Sequence, residues 1–246
     1  MPSQTDFKDK LTASPLALAA AGTAIWVLTS FLLVGIFRNL LPPKEWSDIY
    51  GVAERLTLAI FLYIFTIHIG VKLRGVLTAW WRDKESHLWI FFKYFGVYAG
   101  SLALVVLALT AIFLLLEKTG TIDHSIILQM SEESISGDST TRLRVLFNTS
   151  TPRFILLLLS TCIIAPIIEE VFFRRFLYVA LRKRFPFVPA LAIATMAFML
   201  VHPNIALGAI GGIYLGYVYE KGKSLPANIA IHSTVNFLVT SISLVL

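Results

Sequence analysis

The chain has 246 residues, of which 57% are hydrophobic and 15% charged, with a mean hydropathy of +0.76 and a formal charge of +6. Soluble domains use about a quarter charged residues, so the composition excludes an ordinary water-soluble domain. Nor does the positive charge mark a nucleic-acid patch, because it gathers at the ends of apolar runs: Lys72, Arg74, Arg82 and Lys84; Arg174, Arg175, Arg182, Lys183 and Arg184; Lys221 and Lys223.

A helix needs about 20 apolar residues to cross hydrocarbon. Residues 16–37 form the first such run. It reads as a retained anchor rather than a cleaved signal, being long and preceded by mixed charge. Residues 56–71 form a second run and 94–116 a third, the clearest, with no charged residue. A polar, Ser-rich stretch follows at 117–150, read as a flexible lid or linker with a short helix near 126–133. Apolar runs resume at 154–168, 187–201, 205–219 and 225–246, and the amphipathic stretch 167–185 leaves the count open.

The expected fold is all-α, a polytopic transmembrane bundle of 7–8 membrane segments. Residues 1–150 make a variable N-terminal region of about three helices. Residues 151–246 make a core that holds nearly every polar residue set awkwardly in an apolar run. Basic residues favour the cytoplasmic side, which places the N-terminus, the 72–84 loop and the 174–184 and 221–223 clusters inside. Residues 117–150 and 203–204 then fall outside. Pro166 is expected to break or kink its run, since it removes a backbone hydrogen bond. The carbonyl it frees must find a partner within the protein. Cys162, the only cysteine, excludes an intrachain disulfide and a cysteine metal site, and reads as a small core residue.

A carboxylate in or near hydrocarbon marks a functional site by default. Glu170 and Arg174 are four apart and share a helix face, so they can pair. Glu169 faces another way and is a candidate general base. Both glutamates also fit an interfacial pairing with Arg174 and Arg175. His202 closes an apolar run, with Phe198 one turn earlier on the same face. Asn228, His232 and Asn236 form a ladder at i, i+4 and i+8 that must face the bundle interior. His68 and the Glu54/Arg55 pair read as structural or interfacial. One free carboxylate, two histidines and an amide can hydrolyse a peptide bond, the carboxylate and one histidine activating water, the second histidine and the amide holding the oxyanion. The same residues fit zinc with an open position, and the sequence leaves both open.

Glu169-Glu170-Val-Phe-Phe-Arg174, then Phe198-Met-Leu-Val-His202, then His232-Ser-Thr-Val-Asn236 resemble the motifs of the CPBP family. These are the CAAX proteases and bacteriocin-processing enzymes, also called Abi or Rce1-like intramembrane glutamic proteases. The resemblance covers about 152–244. It implies that Glu169 and His202 activate water, that His232 and Asn236 stabilise the oxyanion, and that Glu170 and Arg174 support the first motif. It further implies an endopeptidase acting on a membrane protein or lipidated peptide, in contact with membrane lipid and not nucleic acid. The expected location is a bacterial plasma membrane. No cofactor is expected, with zinc left open. The chain departs from the family at Arg175, where glycine is usual. A non-catalytic scaffold or immunity factor on the same fold is the alternative, with a small transporter behind it.

One geometric condition follows. If 154–168 and 187–201 each crossed simply, Glu169 and His202 would lie at opposite faces. Proton transfer needs them about 3 Å apart or joined by one water. The hydrolytic reading therefore predicts that the helix after Pro166 carries Glu169 to the level of His202.

Overall fold

The computed structural model describes residues 47–68, 73–123, 125, 138–202 and 205–245. The expectations for 16–37, for a short helix near 126–133 and for the connection at 203–204 lie outside these residues. The described part is all-α. In order come α1 (Ser47–His68), α2 (Leu73–Arg82), α3 (Lys84–Lys118), α4 (Asp138–Thr149), α5 (Thr151–Arg182), α6 (Phe187–Leu200), α7 (Ile205–Gly222) and α8 (Leu225–Val245). Among the described residues, one helix, α5, is long and apolar enough to cross a membrane. The apolar run 94–116 lies inside α3, which leaves Trp89, Phe92, Leu104, Leu107 and Ile112 exposed.

Helix α5 is the axis of the fold. Its start is marked by Pro152, which suits the first turn because its missing N–H would be unpaired there anyway. It does not stop at Pro166. Residues Ala165–Glu169 are α-helical and lie between two π-helical stretches, Ser160–Ile164 and Glu170–Tyr178. A π-turn bonds each N–H five residues back, as Ala165 N–H does to the Ser160 carbonyl. In that register the N–H that Pro166 lacks would have met the Thr161 carbonyl. Asn236 Nδ2 donates to that carbonyl at 3.0 Å. The partner demanded by the proline thus comes from α8, and the helix continues rather than restarting.

Two clusters hang on this axis and a third lies among α3, α7 and α8. Phe172, Phe173, Leu177 and Tyr178 of α5 bury against Ala190, Ala194 and Phe198 of α6. Val52 of α1, Leu157 of α5, and Leu143 and Leu146 of α4 form a second. The stretch read as a polar loop therefore ends in a helix that buries two leucines three residues apart. Leu215 and Val218 of α7 pack with Ile231 of α8, against Phe91 and Phe95 of α3.

The closest packing is α6 on α7. Lipid tails are as apolar as leucine, so helix association in a membrane relies on close contact of small residues. Gly208, Gly212 and Gly216 recur every fourth residue on α7. A Cβ at Gly212 would come within 2.9 Å of Thr195 Cγ2 and 3.2 Å of the Thr195 backbone. At Gly208 it would come within 3.0 Å of His202 Cβ and 3.1 Å of the Met199 backbone. Glycine at 208 thus sets how near α7 can lie to His202.

Candidate functional site

The site starts from Glu170, which is fully buried along with Arg174. The i, i+4 relation places Arg174 Nε 3.2 Å from Glu170 Oε2. The guanidinium nitrogens make no well-angled hydrogen bond, and the group lies over the Phe198 ring, 4.7 Å from its centroid. Its charge is therefore held by Coulomb attraction and by the ring face. The carboxylate also accepts from Asn228 Nδ2 at 2.8 Å and lies 3.0 Å from His232 Nδ1. Asn228 Nδ2 also reaches the Leu215 carbonyl at 2.9 Å, which ties α7 into the cluster. Ser224 caps α8, its hydroxyl accepting from Ala227 N–H.

Glu169 turns to the other side of α5. Its Oε2 lies 3.5 Å from His202 Nε2 and 3.8 Å from His232 Nε2. The expected juxtaposition is met by a hairpin. Glu169 precedes the α5–α6 turn by about as many residues as His202 follows it, and α6 is too short to span by itself. Antiparallel helices rising 1.5 Å per residue bring such positions to one level, about 20 Å from the turn.

Hydrogen bonding assigns the histidine tautomers. His202 Nδ1 lies 2.7 Å from the Phe198 carbonyl, which can only accept, so Nδ1 carries the proton. His232 Nδ1 faces the Glu170 carboxylate, so it too is the donor. In their neutral forms both rings then turn an Nε2 lone pair toward Glu169. Three electron-rich atoms converge, and Glu169 Oε2 is buried without a hydrogen-bond partner. Such a cluster suits a shared proton, a water or a cation.

These three residues can coordinate a metal ion, since one ligand atom from each lies within 4.8 Å of the others. The donor set fits zinc: two imidazoles and a carboxylate, with a fourth position open. Each Nδ1–H is held by an acceptor, as ligating histidines require.

Five of the six expected site residues meet here, though not in one layer, and Asn236 lies one turn of α8 beyond His232. Glu169, His202 and His232 converge. Glu170 and Arg174 lie behind them, orienting His232. Asn236 bonds the Thr161 carbonyl, which uses one of its two amide hydrogens. Two further residues contribute. Asn228, read from sequence as part of the interior ladder but given no role at the site, grips Glu170. Arg55, read as interfacial, reaches from α1 to the hydroxyls of Ser160 at 3.2 Å and Thr161 at 3.3 Å, and feels the charge of Glu169. Nothing in the sequence paired it with α5. Cys162 is a buried free thiol, as expected.

Gly208→Ala tests the α7 contact beneath His202. The new methyl must displace either the His202 side chain or the Met199 backbone. Misplacement by about 1 Å costs on the order of 100-fold in rate. The expected result is a folded protein in which any activity of the cluster falls by about that factor, read beside a thermal melt.

No curated protein and no solved structure matches the chain. Residues 151–238, which hold all three motifs, match the family model described as Type II CAAX prenyl endopeptidase Rce1-like, and that segment is similar to this family.

Proposed function

We propose that this protein is a multi-pass intramembrane endopeptidase of 7–8 membrane segments, acting on a membrane-associated or lipidated protein or peptide. The observation that carries the reading is the convergence of Glu169 Oε2 with the Nε2 atoms of His202 and His232. The apolar side chains exposed along α3 support a lipid setting.

In this reading a water held at the cluster gives a proton to Glu169 as its oxygen attacks the scissile carbonyl carbon. His202, fixed through Nδ1 to the Phe198 carbonyl, keeps its Nε2 turned to the same proton. Negative charge gathers on the carbonyl oxygen. His232, held at Nδ1 by Glu170, and the second amide hydrogen of Asn236 meet that charge. The proton then passes from Glu169 to the amide nitrogen. The C–N bond breaks, leaving a carboxylic acid that gives its proton to the released amine.

The paired Nδ1 acceptors also favour a second reading, in which Glu169, His202 and His232 hold zinc. The metal would supply a Lewis acid and a more acidic bound water. Both are tested with the full chain in proteoliposomes and an acyl-anchored, internally quenched peptide, with cleavage run in 18O water and zinc quantified in the same sample. Cleavage placing 18O in the new carboxylate is expected. Activity that survives chelation and zinc removal supports the glutamate mechanism, and activity that follows zinc content supports the metal one. If a broad panel of anchored peptides stays intact in both zinc-loaded and zinc-free protein, the hydrolytic reading fails and the scaffold alternative replaces it.

A further inference from the structure

The family resemblance gives no role to Arg175, which stands where glycine is usual. Here it borders a cavity of about 380 Å³ distinct from the Glu169 cluster. The walls come from several helices, with Leu62 of α1, Trp80 of α2 and Ile167 and Val171 of α5 among them, and are mostly apolar. Two cations reach it, Arg175 from α5 and Lys223 from the α7–α8 turn. A volume in this range suits a small hydrophobic ligand or part of a chain.

Charge selects the occupant. Arg175 hydrogen-bonds the Tyr219 hydroxyl, which orients a guanidinium that has five donors in all. Lys223 lies 2.6 Å from Glu220, and Arg182 shares that carboxylate at 3.0 Å. The groups near the mouth thus include the cations Arg175, Lys223 and Arg182 against the anions Glu220 and Asp83, a net positive field. His87, at the same cavity, is bonded to Ser224, and burial pushes its imidazole down toward the neutral form, against a smaller upward pull from Asp83. Helix α2 supplies adjacent tryptophans, Trp80 and Trp81, followed by Arg82, the arrangement of a helix lying at headgroup depth. The basic clusters place this end on the cytoplasmic side, whose leaflet carries anionic lipid.

We propose that the cavity between α1, α2 and α5 binds an anionic phospholipid, one acyl chain between Leu62, Ile167 and Val171 and the phosphate on Arg175 and Lys223. It is a site for membrane lipid rather than for the peptide that is cut. An arginine fits a phosphate in bidentate fashion, whereas glycine would leave an apolar slot with one lysine at its edge.

The test uses the full chain in phosphatidylcholine vesicles containing a photoactivatable phosphatidylglycerol with its diazirine on the acyl chain. The matching phosphatidylcholine probe serves as control. Labelling is expected on peptides 59–80 and 167–176, about tenfold stronger with phosphatidylglycerol. Arg175→Gln combined with Lys223→Gln should reduce it to the phosphatidylcholine level. Arg175→Lys, which keeps the charge, should retain most of the preference and guards against a folding artefact. Val171→Trp should block labelling by both probes. Equal labelling by the two lipids, labelling unchanged in Val171→Trp, or cross-linking of the cavity wall to residues 1–46 in place of lipid would each overturn the proposal. Because labelling needs no turnover, its result stands apart from that of the peptidase assay.

Discussion

Glu169→Gln is expected to abolish peptide hydrolysis while leaving the protein folded. The glutamine is isosteric, so no cavity opens. It loses the negative charge and the basic oxygen that face the two Nε2 atoms at 3.5 and 3.8 Å. A positioned general base contributes roughly 100- to 10,000-fold, and the loss should fall in kcat. Stability should change little, because Glu169 is not the carboxylate that balances Arg174. Its side chain is 18% exposed, against 0% for Glu170. Turnover of the anchored peptide and a thermal melt, run on one preparation, check both halves. Retention of activity within tenfold would remove Glu169 from the chemistry, since no amide can replace a carboxylate as base.

Glu170→Ala should do the reverse in order of cause: the fold suffers first. The substitution leaves the Arg174 guanidinium wholly buried, with only the Phe198 ring to offset its charge. Removing one partner of a buried ion pair costs about 3–5 kcal/mol. The His232 Nδ1 proton and Asn228 Nδ2 lose their acceptor as well. A large drop in melting temperature in detergent is expected, together with lost activity. Glu170→Ala combined with Arg174→Met removes both charges and should recover much of the stability but not the activity, because His232 remains without its orienting carboxylate. If the single variant melts like the parent, neither the buried pair nor the bonds from Glu170 to Asn228 and His232 of α8 carry the stability assigned to them.

The two adjacent glutamates therefore separate by consequence. One faces a cluster of ring nitrogens and can exchange a proton. The other is committed on both oxygens, to Asn228 and Arg174 on one and His232 on the other. An α-helix turns about 100° per residue, so neighbours point apart. The π-turn beginning at Glu170 changes that local rotation, and such turns recur at functional sites.

Much of this was local and hence legible in the chain. Spacing of four residues gave the Glu170–Arg174 pair, the stacking of Phe198 on His202 at 4.1 Å and the Asn228–His232–Asn236 ladder. These follow from the 3.6-residue period, whatever the rest of the molecule does. The demand that Pro166 places on a freed carbonyl was legible too, because lipid supplies no donor.

What only the tertiary structure decided is long-range. A periodic pattern does not say whether a helix continues through a proline. Continuation depends on π-turns and on Asn236, which lies 75 residues from Thr161. That continuation, with the short return of α6, is what brings Glu169 level with His202. Arg55 belongs to the same class, lying 105 residues from Ser160. So does the cavity beside Arg175, whose walls are shared by helices far apart in sequence. The sequence by itself determined the all-α character, the apolar faces and the chemical groups, because each depends on residue type and helical period. Which groups meet depended on helix continuity and close packing between distant segments, and these are properties of the folded bundle alone.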